Sequence, residues 1–387
     1  LDNNQQKSLK AIIWDAPTRV FHWLLVISFT IAWLSYDDNR FLFFHVYGGY
    51  VFFGLLIFRF VWGVIGTHYA RFHTFAYDWS SVWDYVKALL NGQAARHIGH
   101  NPIGGWAIFL MLALGFLVSI AGLLVFGGEE GHGPLQRLVS FEVGIYAREA
   151  HEILAWTMLA IVIVHVLGVI VESFIHKDNL IWAMMTGRKD DTAGVTSVRG
   201  HHFLGLFIAT AVFVSAGIYF RGYLTETADH LYMPYKGPDL PDSALWREEC
   251  GSCHFAFHPT LLPERSWRAI FKDQHEHFGD DLDLDEDTYQ ELLAFHVDNA
   301  AESKLSEPAH KVLMFEDPNS VPLRVTETKY WQHKHEDIKD VYWKSKKVKT
   351  KGNCTACHLD AKEGTFEDSD MRLPKLESTQ TTSEKPK

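Results

Sequence analysis

The sequence predicts an all-α protein in two parts: a transmembrane helical bundle and a charged, mainly helical domain outside the membrane. Three observations predict it. Five apolar runs approach the ~20 residues that a helix needs to cross a bilayer. The charge is divided unevenly: up to Phe220 there are 14 Lys/Arg and 15 Asp/Glu, and from Arg221 onward 22 and 32. All four cysteines of the 387 residues stand in two C-x-x-C-H motifs. A chain that is 47% hydrophobic and 14% aromatic is no collagen, coiled coil or fully disordered polymer. An acidic domain without a basic face argues against nucleic acid as a partner.

The apolar runs are, in order, Val20–Tyr36, Phe41–Ile65, Ile103–Phe126, Ile153–Phe174 and Phe203–Phe220. The first is followed by further spans, lacks a small-residue cleavage site and contains a histidine, so it reads as a retained helix. Basic residues set the orientation. With the N-terminus in the cytoplasm, the inner segments carry Lys7, Lys10, Arg19, Arg71, Lys87, Arg96, Lys177, Arg188, Lys189 and Arg199, and the outer loops only Arg40, Arg137 and Arg148. Arg59, near the inner end of the second run, is expected to snorkel toward water. Five crossings then deliver the C-terminal domain to the opposite side. The expected divisions are 1–200 for a four-helix membrane domain, 201–222 for a fifth spanning helix, 223–375 for the extramembrane domain and 376–387 for a disordered tail.

Histidine is costly in a bilayer unless paired or ligated. His22 lies near the inner end of the first run, His45 opens the second on the outside, and His151 and His165 share the fourth. Fourteen residues of helix rise by about 21 Å and return to within ~40° of one face. One histidine of the fourth run therefore sits at the outer level and one at the inner, permitting the pairs His45 with His151 and His22 with His165. Two neutral imidazoles on opposite faces of one iron make a closed, six-coordinate haem. A lone membrane histidine can equally be a hydrogen-bonded core residue; it is the set of four that favours ligation. Gly48, Gly49 and Gly168 could let a flat macrocycle approach, or serve helix packing. His68, His73, His97, His100 and His176 are read as interfacial or solvated.

These residues lie in WDAPTRVFHW (Trp14–Trp23), HVYGGY and RFVWG (within His45–Gly63), GHNPIGG (Gly99–Gly105) and HKDNLIWAMMTGRK (His176–Lys189). Over the first ~190 residues the chain resembles the bacterial cytochrome b561 family, related to the b-type subunit of Ni-hydrogenases. The resemblance implies a four-helix bundle holding two b haems, with axial ligands at His22, His45, His151 and His165, and electron exchange with quinones. The very short first outer loop, Asp37–Arg40, and the fifth span depart from the family.

Outside the membrane, Cys250-Gly-Ser-Cys253-His254 and Cys354-Thr-Ala-Cys357-His358 place two thiols for thioether bonds to haem vinyl groups and a histidine for the iron. Two C-x-x-C pairs could instead bind zinc, but a histidine directly after each favours covalent haem. Such attachment occurs outside the bacterial cytoplasm, which agrees with the loop charges. Candidates for a second axial ligand are His230, His258, His275, His277, His296, His310, His333 and His335. From Trp246 to Pro374, CGSCH, LLPERSW (Leu261–Trp267), HFGDDLDLD (His277–Asp285), HKHEDI (His333–Ile338), NCTACH and GTFED resemble a family of small dihaem c cytochromes. That resemblance favours His277 and His335 as distal ligands, without deciding which haem each serves. Asp280–Asp287 is a dense acidic run, and an EF-hand starting at Asp281 fails, with Glu286 and Leu292 at its sixth and twelfth positions. Lys344–Lys351 reads as an exposed basic loop.

The expected function is electron transfer between membrane quinone or quinol and a periplasmic acceptor, a small haem protein or cytochrome c, through two b haems and two c haems. The expected location is the bacterial inner membrane, multi-pass. An activity of the quinol:cytochrome c oxidoreductase type would follow, with catalytic residues unassigned. The alternatives are a superoxide oxidase that passes electrons to quinone, and a non-catalytic anchor or relay subunit of a larger redox complex. Homo-oligomerisation is left open.

Overall fold

A computed structural model describes residues 11–37, 41–136, 138–189, 195–226 and 237–375, with the side chains of 222–226 left aside. Lys7, Lys10, Arg40, Arg137, His230 and the expected tail 376–387 lie outside the described residues. The chain forms two compact units, residues 1–233 and 234–387.

The first unit is built on long apolar helices. Helix α1 (Ala16–Leu34) starts where the Asp15 carboxylate accepts the Thr18 amide and Pro17 supplies a preset first turn. Helix α2 spans Leu42–Ile65. The short α3 (Trp79–Leu90) precedes α4 (Pro102–Gly128), capped by Asn101. Helix α5 (Phe141–His176), capped by Ser140, runs for 36 residues. That is about 54 Å, well beyond the ~30 Å hydrocarbon layer. It begins twelve residues before the fourth apolar run. The extension is held because Gly144 lies flat on the end of α4, where an added Cβ would meet the Glu129 amide at 2.3 Å. The short α6 (Leu180–Thr186) closes on Gly187 at φ 80°, whose missing side chain leaves room for the Trp14 carbonyl. Strands β1 (Ala11–Ile12) and β2 (Arg188–Lys189) pair antiparallel beside it, a small addition to the all-α expectation.

Helices α1, α2, α4, α5 and α7 (His202–Glu226) are long and apolar enough to cross a membrane. In the bundle core, Phe52, Leu56 and Met158 pack with Leu25, Phe29, Met111 and Leu112. Helix α7 packs on the outside of α1 and α2. The Tyr47 hydroxyl donates to the Val212 carbonyl at 2.9 Å, and the Phe43 and Tyr219 rings meet at 4.3 Å.

The second unit consists of short helices: α8 (Ala244–Gly251), α9 (Glu264–Lys272), α10 (Glu286–Asp298), α11 (Glu307–Phe315), α12 (Lys329–His335) and α13 (Asp340–Trp343). Its main core gathers Trp246, Leu262, Trp267, Phe271, Leu292 and Ala300. Ala301, Ala309 and Val312 form a smaller one.

Candidate functional site

The histidines of α2 and α5 meet at one level of the bundle. The His45 and His151 ring centres are 6.0 Å apart, at 78° to one another. His45 Nδ1 is 2.8 Å from the Ala32 carbonyl and His151 Nδ1 is 2.9 Å from the Val118 carbonyl. Each carbonyl is an acceptor, so each Nδ1 carries the proton and each Nε2 keeps its lone pair. Both rings line a cavity of about 360 Å³ walled by Phe29, Trp33, Phe52, Phe126 and Trp156. Gly49 also lines it, and a Cβ there would meet nothing within 4 Å. Gly48 does not serve the cavity: its Cβ would press on the Ser28 carbonyl and Ala32, so it permits α1 and α2 to pack. At the rim of this cavity Arg148 is held by Glu129 (2.5 Å) and Glu130 (2.9 Å).

His22 and His165 lie within electrostatic reach of one another at the other level. His22 Nδ1 is buried without a hydrogen-bond partner. Gly168, one turn beyond His165, has open space where a Cβ would stand. Near the end of α2 and the start of α4, two residues depart from the sequence reading. His100 is half-buried, its ring 4.7 Å from Trp14 and 4.4 Å from Phe75, and this burial pushes it down to about 3. Arg59 does not snorkel. It is 4% exposed, donates to the Ala70 carbonyl at 3.0 Å and lies over the Phe72 ring. Asp15, 1% exposed, supplies the compensating charge and accepts from Trp62 Nε1 (3.1 Å) and Thr67 Oγ1 (2.6 Å).

In the second unit, each C-x-x-C-H histidine has one close histidine partner. His254 and His277 ring centres are 6.3 Å apart at 25°, and His335 and His358 are 6.2 Å apart at 64°. His254 Nδ1 is 2.8 Å from the Phe255 carbonyl, and His335 Nδ1 is 2.7 Å from the Trp331 carbonyl. Trp331 stacks on His335 at 4.3 Å, with Trp343 5.7 Å from Trp331. Cys250 closes α8, and Cys354 opens a tight turn in which the His358 amide donates to the Cys354 carbonyl. Burial pushes the Cys250 thiol up to about 11 and the Cys354 thiol up to about 12, so both are protonated at neutral pH. Burial pushes His358 down to about 4, which keeps it a neutral imidazole. Among the described residues no three His, Cys, Asp or Glu side chains converge as a metal site.

Four of the remaining candidates are engaged elsewhere. His258 uses both nitrogens, on Thr260 Oγ1 and the Pro241 carbonyl. His296 is 2% exposed against Trp267 and Phe271, with Nδ1 on the Leu292 carbonyl. His275 pairs with Asp281, and His333 with Glu336.

The three close pairs share one spacing. Two imidazoles on opposite faces of one metal, with bonds of about 2.0 Å and ~1.1 Å from each nitrogen to its ring centre, stand ~6 Å apart. The spacing, the tethered Nδ1 atoms and the open face of Gly49 all fit an axially ligated haem.

Comparison with known proteins agrees with this chemistry. Residues 13–187 match the family described as prokaryotic cytochrome b561, and residues 246–366 the family described as dihaem cytochrome c. The "Probable Ni/Fe-hydrogenase B-type cytochrome subunit" of Azotobacter chroococcum mcd 1 is 24% identical over 215 residues, covering 47% of this chain and 89% of the relative. The corresponding hydrogenase 1 subunit of Escherichia coli K12 is 24% identical over 230 residues, covering 50% of this chain and 97% of the relative. A dihaem cytochrome c structure from Rhodobacter sphaeroides is 34% identical, covering 33% of this chain and 98% of that chain, with a TM-score of 0.30. One from Shewanella baltica OS155 is 29% identical, covering 35% and 97%, with a TM-score of 0.29.

Proposed function

We propose that this chain, whose residues 13–187 match the prokaryotic cytochrome b561 family and residues 246–366 the dihaem cytochrome c family, carries electrons between membrane quinol and a periplasmic acceptor. The membrane part fits electron transfer across a bilayer, and the two families indicate b and c haem. Our finer reading is two haems of each kind. His45 with His151, and His22 with His165, hold the b haems. Cys250, Cys253, His254 and His277 hold one c haem, and Cys354, Cys357, His358 and His335 the other. When bound in this way, such haems supply one-electron chemistry at closed, six-coordinate iron.

The observation that carries the reading is the common 6.0–6.3 Å spacing of the three histidine pairs. The residues around them support it. Backbone carbonyls at Ala32, Val118, Phe255 and Trp331 tether the Nδ1 atoms, which leaves the lone pair on Nε2. Phe29, Trp33 and Trp156 line the cavity around the His45–His151 pair. The loop charges and the covalent c-haem motifs together support a bacterial inner membrane protein with a cytoplasmic N-terminus and a periplasmic second unit. The acceptor is a soluble redox protein, a small haem protein or cytochrome c.

A relay subunit of a larger complex is the second reading, favoured by the relatives that are named as hydrogenase subunits. The superoxide oxidase reading requires a basic outer funnel. Arg148, which the structure places on α5, is already held by two glutamates. A reduced-minus-oxidised spectrum of the purified protein, taken after adding quinol and then a periplasmic cytochrome, tests the proposal. Reduction of both haem types by quinol and reoxidation by the cytochrome is expected; b haem that quinol never reduces would refute it.

A further inference from the structure

The second unit is acidic, yet it carries five lysines in eight residues: Lys344, Lys346, Lys347, Lys349 and Lys351. Lys344, Lys346 and Lys347 line a surface cleft of about 520 Å³ together with Lys375 and Asp340. Asp340 pairs with Lys344 at 3.1 Å, and Lys346 and Lys347 form no ion pair among the described residues. The cleft adjoins α13, which ends at Trp343. Trp343 is 5.9 Å from the His335 ring, and Lys351 lies over both Trp331 and Trp343 at 5.5 and 5.8 Å. Cationic surface and the His335–His358 pair are therefore joined by two tryptophan rings. The rim of the other pair has the opposite sign. Exposed Asp280 and Asp281 follow His277, and the His277 amide donates to the Asp280 carbonyl.

We propose that the lysine cleft of Lys344, Lys346, Lys347 and Lys375 is the docking face for a soluble redox protein that presents an acidic surface, and that Trp343 and Trp331 mark the edge where one electron leaves the His335–His358 site. The inference rests on the c-haem reading above and names the partner chemistry for one of its two sites. Net charge alone points the other way, since a domain with 22 basic and 32 acidic residues would be expected to attract a basic partner everywhere. Surface fields are screened beyond about 8 Å at physiological salt, so a partner senses the local patch on docking. A protein is favoured over an anionic lipid surface because the lysines lie beside Trp343, which is 5.9 Å from the His335 ring on which Trp331 stacks, where a redox partner gains from close approach. The transfer balances simply: the chain is oxidised by one electron and the partner is reduced by one, with no bond or proton moved.

The test uses the full-length protein in phosphatidylcholine nanodiscs. Its probe is a cytochrome c whose lysines have been succinylated, so that its surface is acidic. Affinity is measured by biolayer interferometry at about 20 mM and about 200 mM salt, with electron transfer from the dithionite-reduced chain followed in parallel. K346E/K347E is expected to weaken low-salt binding by about tenfold or more and to flatten its salt dependence. K272E/K362E reverses two exposed lysines elsewhere on the unit and is expected to stay within about twofold. Equal weakening by both variants, or none by K346E/K347E, overturns the proposal. So does loss in K346E/K347E of co-flotation with phosphatidylglycerol liposomes while binding of the acidic cytochrome is unchanged. Binding needs no quinol, so a failure here is distinct from a failure of quinol to reduce the b haems.

Discussion

Gly122 of α4 passes directly beside His151, and Gly122→Val tests whether that ring is held for ligation. A Cβ at this position would stand 3.0 Å from His151 Cε1 and 3.2 Å from Nδ1. Ordinary carbon contacts are about 3.5–4.0 Å, so the ring must give way by several tenths of an ångström. Retreat lengthens the 2.9 Å bond from Nδ1 to the Val118 carbonyl. Loss of such an orienting bond typically costs about 10–100-fold in metal affinity, or about 1.4–2.7 kcal/mol. The outer b haem should therefore be lost or shifted in potential, and the other three haems spared. Pyridine haemochrome analysis after detergent washing should show a fall in b relative to c haem. A potentiometric titration should show one altered b component. Gly217→Val is the control, because a Cβ there meets nothing within 4 Å. Retention in Gly122→Val of both b components at unaltered potentials would refute the placement of a haem between His45 and His151.

The other predictions address separate parts of the chain. His277→Ala should turn the haem at Cys250 and Cys253 from low to high spin, and His335→Ala the haem at Cys354 and Cys357. Magnetic circular dichroism of each variant in a background lacking one C-x-x-C pair would show a crossed pairing if the assignment is wrong. Asp15→Ala removes the acceptor for Thr18, Trp62 and Thr67 and the charge facing buried Arg59. Leaving buried polar groups unsatisfied costs about 1–3 kcal/mol each, so thermal unfolding should start well below wild type, and an unaltered melting curve would contradict it. Burial pushes His296 from 6.5 down to about 4. The unfolded chain then binds more protons between those values. This contribution is complete above pH 6.5 and is lost as the pH falls toward 4, by on the order of 3 kcal/mol. Denaturant midpoints of the second unit at about pH 7 and about pH 5 should differ less in His296→Phe than in wild type.

The spanning helices were legible because a helix lying at a protein surface in water carries a polar face, and these runs are apolar nearly all round. The histidine levels were legible because fourteen residues of helix return nearly to one face. What sequence reasoning missed depends on contacts between distant segments. The first twelve residues of α5 carry Arg148, Glu149 and Glu152 and look too polar to extend a span; Gly144 secures them against α4. His100 looked solvated because its burial comes from Trp14 and Phe75, remote in sequence. Arg59 sits at a snorkelling depth, but the Ala70 carbonyl and the Asp15 charge hold it inside. In the second unit the C-x-x-C-H motifs announced themselves. Their matching to His277 and His335 did not follow from spacing alone, since loops rather than regular helices set those distances.

The most direct test of the account is stopped-flow mixing of the oxidised full-length protein with quinol, with the b and c haem bands recorded separately. The account predicts that the b band is reduced first and the c band follows in the same molecules. It also predicts that removing His22 or His165 abolishes reduction of the c band by quinol. Reduction of the c band at an unaltered rate in those variants would contradict it.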